Sequence, residues 1–144
     1  MALVYFDSSA LVKLVVEESG SDLAGELWDG CDAALSSRLA YPEVCAALAA
    51  AGRNRDLDAR GLAVALGAWE ELWASTRPVE LTADVERRAG ELTAKHPLRG
   101  ADAVHLASAL AVGTAELVVA AWDRRLHVAV TAERLVVAPA TIGP

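Results

Sequence analysis

The chain has 144 residues, of which 54% are hydrophobic, and a formal net charge of −7. That length suits a single domain, residues 1–144, with a core of its own, and so acidic a chain is not a general nucleic-acid binder. The longest uncharged apolar run, Val44 to Ala51, falls short of the ~20 residues a spanning helix needs, so no membrane association is expected.

In chain order, five short β-like runs alternate with longer helical stretches. The first run, Leu3–Phe6, opens the chain with no basic or cleavage-type segment before it, so a cytoplasmic protein is expected. Ser9–Glu17 carries Leu11, Leu14 and Val15 at helical spacing. Ser21–Trp28 opens on a Ser-Asp start signal and closes near Gly30. Ala33–Ser36 is the second, weaker run. Pro42–Ala51 starts with proline in a first-turn position and stops at Gly52. A polar turn, Arg53 to Asp56, leads into Asp58–Trp73, with Leu62, Leu66, Trp69 and Trp73 on one face. The third run, Pro78–Leu81, has its proline where a missing N–H is tolerated. Helices over Thr82–Ala94 and Ala101–Val112 come next, the latter ending at Gly113. Leu117–Ala120 is the fourth run, Arg124–Ala132 a short helix, and Leu135–Val137 the fifth run. Continuous apolar runs alternating with helices predict an α/β sandwich with a mainly parallel five-stranded sheet.

In an open α/β sheet, ligands gather beyond the C-terminal strand ends. Asp7 directly follows the first run and Asp123 the run Leu117 to Trp122. If the first and fourth strands are neighbours, the two carboxylates meet at one edge. Each also reads as an ordinary helix cap, and the residues alone leave both readings open. Asp102 begins a helix whose other residues are small or apolar, which points it at a shared pocket, although a helix start favours an acid in any case. Glu43 lies early in the helix after the second run, where an acid facing water is the competing reading. Four carboxylates in one pocket repel one another unless a cation lies between them. Hard oxygen donors suit Mg²⁺ or Mn²⁺, and such ions serve phosphodiester hydrolysis.

Four segments carry a resemblance that covers nearly the whole chain. They are Tyr5-Phe6-Asp7-Ser8-Ser9-Ala10-Leu11, Leu39-Ala40-Tyr41-Pro42-Glu43-Val44, Gly100-Ala101-Asp102-Ala103-Val104-His105-Leu106-Ala107-Ser108-Ala109-Leu110 and Trp122-Asp123-Arg124-Arg125-Leu126. In this order and spacing the chain resembles PIN-domain proteins of the VapC toxin type. The resemblance implies a three-layer α/β/α sandwich and an Mg²⁺- or Mn²⁺-dependent endoribonuclease. It makes Asp7, Glu43, Asp102 and Asp123 the metal-holding, catalytic acids. It also implies a cognate antitoxin, whose C-terminal arm lies across the acidic groove, and a homodimer. A hydroxyl near the first acid is supplied by Ser8 or Ser9, while the hydroxyl common two residues before the last acid is replaced by Ala121.

The other chemically capable residues have plainer readings. Cys31 and Cys45 form no CxxC pair and are expected as buried small hydrophobes. His105, three residues after Asp102, is expected in the core or beside the site, as are His96 and His127; no Ser-His-Asp arrangement has motif support. Lys13, Arg99, Arg124 and Arg125 lie at the predicted rim, with Arg124 the best placed to bind RNA phosphate. Trp69 and Trp73 are four apart and are expected to pack rather than stack on bases. Two alternatives stay open: a catalytically silent fold that only binds, and a phosphoacceptor signalling domain. The only lysines, Lys13 and Lys95, fit the latter poorly because neither follows a late strand.

Overall fold

A computed structural model describes residues 1–143. The strands are β1 (Leu3–Phe6), β2 (Ala33–Ser37), β3 (Thr76–Val79), β4 (Val118–Ala120) and β5 (Val136–Ala138). The helices are α1 (Ser8–Val15), α2 (Ser21–Gly30), α3 (Ala40–Arg53), α4 (Ala59–Ala74), α5 (Ala83–Lys95), α6 (Gly100–Val112) and α7 (Arg124–Ala132). All strands pair in parallel, in the order β3-β2-β1-β4-β5. The chain steps outward from β1 through β2 to β3, then returns to lay β4 against the other side of β1. The order thus reverses between β1 and β4, where Phe6 stands beside Ala120. That reversal is where an open α/β sheet forms a crevice.

Side-chain alternation along β1 divides the core into two layers. Val4 and Phe6 pack with Leu11 of α1, Val44 and Leu48 of α3 and Trp69 of α4. Tyr5 points the other way, into a cluster with Leu92 of α5, Leu106 of α6 and Leu126 of α7. The sheet therefore lies between two helical layers, as the alternating sequence predicts. Among the described residues, no helix is long and apolar enough to cross a membrane.

Several predicted boundaries move. The third strand is Thr76–Val79, two residues earlier than Pro78–Leu81, and Leu81 is exposed. Helix α3 starts at Ala40, so Pro42 is its third residue, still among the first-turn positions whose N–H has no intrahelical partner. Gly52 lies inside that helix rather than ending it. In α4, Ala65 and Trp69 are buried, while Leu66 is partly exposed at the edge of the packed face. Cys31 and Cys45 are half-buried free thiols, not core residues.

Candidate active site

The segments that leave β1 and β4 each deliver an aspartate to the same edge of the sheet, and the first turns of α3 and α6 add Glu43 and Asp102. Asp7 is the first residue beyond β1, and its N–H donates to the Ala120 carbonyl at 3.2 Å, which ties it to β4. It is only 4% exposed. Its Oδ1 accepts from Ala10 N and from Ser9 Oγ, both at 2.8 Å. Asp7 is thus a helix cap, one of the two readings left open by the sequence. The cap occupies only one carboxylate oxygen. Among the described residues, no donor reaches Oδ2.

Asp123 repeats the arrangement beyond β4. Its Oδ1 caps α7 by accepting from Leu126 N at 2.9 Å, and the side chain is otherwise exposed. Asp102 lies in the first turn of α6, half-buried, and its carboxylate has no hydrogen bond to another described residue. Glu43 lies in the first turn of α3, and its Oε1 is 2.6 Å from His105 Nε2. All four acids therefore keep at least one oxygen free of donors among the described residues.

Their charges reach one another. Burial pushes the Asp7 carboxyl above its ordinary range, and the Asp102 charge adds to the rise, against the pull of His105 and the hydrogen bonds from Ala10 and Ser9. Asp102 is also raised, by burial first, then by the charges of Asp123 and Glu43, with His105 and Arg99 opposing. Asp102 links the set, since the charges of Asp123 and Glu43 act on it and its own charge acts on Asp7. Among the described residues, no three acidic, His or Cys side chains lie placed to hold a metal ion together. The donor set nonetheless fits a hard divalent cation: it consists of carboxylate oxygens, several of them free of hydrogen bonds, in a partly desolvated, negatively charged place.

A groove of about 350 Å³ opens beside Asp102 and Asp123, lined also by Arg99, Trp122, Arg124 and Arg125. Three of the four predicted rim cations are therefore at the groove. The fourth, Lys13, stands over the Trp122 ring, 5.2 Å from its centroid, and donates to Glu18 and the Ser19 carbonyl. Arg124 also donates to the Gly143 carbonyl. A second groove, between α5 and α6, is lined by Thr82, Asp84 and Arg88 and contains none of the four acids.

Ser9 supplies the hydroxyl beside the first acid, while Ser8 is half-buried at the start of α1. Ala121 is fully buried, with its N–H bonded to the Ala138 carbonyl. The His96 side chain pairs with Glu133 and that of His127 with the Pro139 carbonyl, so neither ring bonds to one of the four acids. Trp69 is core, flanked by Tyr41 and Trp73. The residue that sequence reasoning missed is Tyr5, whose hydroxyl is 2.7 Å from His105 Nδ1. The available signal was a tyrosine inside a buried strand, since a buried phenol needs a polar partner.

Comparison with known proteins agrees with this fold. The PIN domain family model matches residues 4–130. The chain is 67% identical over 144 residues, the whole of both chains, to "Ribonuclease VapC45" of Mycobacterium tuberculosis (strain CDC 1551 / Oshkosh). Its fold is similar to that of Mycobacterium tuberculosis VapC20, a sarcin-ricin loop cleaving toxin, with a TM-score of 0.68 and 21% identity over 97% of this chain and 99% of that one. It is similar also to a toxin–antitoxin complex from Klebsiella pneumoniae, with a TM-score of 0.69 and 16% identity over 97% and 99% of the two chains.

Proposed function

The chain belongs to the PIN-domain family and is of its VapC type, and from that premise we propose that it is a metal-dependent endoribonuclease, the toxin of a toxin–antitoxin pair. The observation that carries the proposal is the gathering of four acids at the β1–β4 reversal, with Asp102 coupled by charge to Asp7, Asp123 and Glu43 and with oxygens that no donor among the described residues occupies. The name of the 67%-identical relative, a ribonuclease, supports it. In this reading Asp7, Glu43, Asp102 and Asp123 hold Mg²⁺ or Mn²⁺. A divalent cation in such a site makes water a better nucleophile at neutral pH and draws charge from phosphoryl oxygens.

The chain's own residues do the rest. Ser9 and Ala10 hold the Asp7 carboxylate in one rotamer. Arg124, with Arg99 and Arg125, binds RNA phosphates flanking the scissile bond. Ser8 is left to contact substrate, because the Ser9 hydroxyl is already given to Asp7. A cognate antitoxin covers the same groove, and the toxin works as a homodimer.

The test is cleavage of RNA by the purified chain. Activity should vanish with EDTA and return with Mn²⁺. RNA that is bound but left intact in Mn²⁺ would instead make the chain a silent binding module.

A further inference from the structure

Behind Glu43 runs a buried line of hydrogen bonds. The Ser37 N–H, at the end of β2, lies 3.0 Å from Tyr5 Oη. Tyr5 Oη lies 2.7 Å from His105 Nδ1, and His105 Nε2 lies 2.6 Å from Glu43 Oε1. Tyr5 is fully buried and His105 is 2% exposed. The line crosses the C-terminal edge of the sheet. It starts in the layer of α6, which carries His105, and ends on α3 in the opposite layer.

The proton count along this line is fixed from its carboxylate end. A carboxylate only accepts, so the ring proton facing Glu43 sits on Nε2. In the neutral imidazole Nδ1 is then bare and accepts from the Tyr5 hydroxyl. Tyr5 Oη, which already accepts from the Ser37 N–H, favours this tautomer by donating to Nδ1. Without that donor, Glu43 is a long, half-exposed side chain free to change rotamer.

We propose that His105 is a positioning residue. Its Nε2–H, in a tautomer favoured by Tyr5 and the Ser37 backbone, fixes the Glu43 carboxylate and leaves Oε2 free for the cation. The purpose of this arrangement rests on the metal-dependent reading above; the hydrogen-bond line does not. Outer partners of this kind orient ligands, and their loss typically costs 10–100-fold in metal affinity.

Two measurements on the full chain separate the parts. The first is ¹⁵N NMR of the histidines in metal-free protein at an alkaline pH, where the rings are neutral. His105 should show a bare Nδ1 and a protonated Nε2, and Tyr5→Phe should mix the tautomers. A proton on Nδ1 of the parent overturns the proposal. The second is Mn²⁺ binding by calorimetry. His105→Asn, too short to reach Glu43, should bind roughly 10–100-fold more weakly. His105→Gln, which keeps a distal N–H, should recover most of that loss. In a Glu43→Gln background, His105→Asn should add nothing. An undiminished loss in that background, or parent-like binding by His105→Asn, overturns the positioning role. Should His105→Asn fail to fold by circular dichroism, Tyr5→Phe puts the same question to binding. A parent that binds no Mn²⁺ sinks the metal-dependent reading, while the NMR tautomer still decides whether His105 holds Glu43.

Discussion

At Asp7 a helix cap and a candidate ligand are one carboxylate, with Oδ1 given to Ala10 and Ser9 and Oδ2 left without a protein donor among the described residues. Asparagine caps a helix as well as aspartate does, so Asp7→Asn removes charge while keeping α1 in place. Cleavage should fall at least about a hundredfold, the upper end of what losing a mere outer partner costs; parent-like cleavage would remove Asp7 from the site. Stability should move the other way. Because burial raises the Asp7 pKa, the unfolded chain ionises first as pH rises, and the fold loses stability from the ordinary carboxylate range up to the raised value. In metal-free buffer at neutral pH, Asp7→Asn should therefore melt above the parent, with the gap closing as pH falls toward the ordinary range. Mn²⁺ should raise the melting temperature of the parent more than that of the variant. A variant that melts lower in metal-free buffer would contradict the burial penalty. The four acids were legible because each follows a strand or starts a helix. The Tyr5–His105–Glu43 line was not, because its members lie 100 and 62 residues apart and meet only in the fold.

Helices and strands were legible as elements and less so at their ends. Helix α7 falls on Arg124–Ala132 as the sequence reads, because Asp123 caps it and Leu126, Ala129 and Val130 share one buried face. β3 slipped by two residues because Leu81 looks like a strand residue but is solvent-exposed. Leu66 joined the predicted face of α4 by spacing, yet packing centres on Ala65 and Trp69. Two glycines show how local backbone and packing differ in weight. Gly113 ends α6 at φ +73, with the nearest non-neighbouring atom 3.9 Å from where a Cβ would sit. Gly113→Ala should cost only the left-handed backbone penalty, about 1–2 kcal/mol. Gly20 precedes α2 at φ +92, and a Cβ there would lie 2.8 Å from the Trp122 indole nitrogen. Gly20→Ala should add an overpacking cost of about 1–3 kcal/mol to the backbone cost. It should also slow cleavage, since Trp122 lines the groove next to Asp123. Urea denaturation reads the difference, and equal losses for the two variants would mean that the indole yields freely.

For the whole molecule, alternation alone predicts parallel strands but not which of them are neighbours. The right-handed crossovers of such sheets admit more than one order, and only the pairing of β1 with β4 brings Asp7 and Asp123 to one crevice. Net charge poses the remaining problem, because a chain at −7 repels RNA at long range. On the proposed function, binding must come from local cations, and Arg99, Arg124 and Arg125 are grouped at the groove with Asp102 and Asp123. Exposed charges separated by more than roughly 8–10 Å are largely screened at moderate salt, so these arginines act by contact while the acidic body fades. RNA affinity measured in the non-cleaving Asp7→Asn background should therefore fall with salt. Each arginine replaced by glutamine should flatten the slope of log affinity against log salt by about 0.7, the contribution of one phosphate contact to single-stranded nucleic acid. Arg124→Gln should weaken binding across RNA sequences alike, because a phosphate contact carries no base information. If the triple substitution leaves the slope unchanged, RNA is gripped on another face.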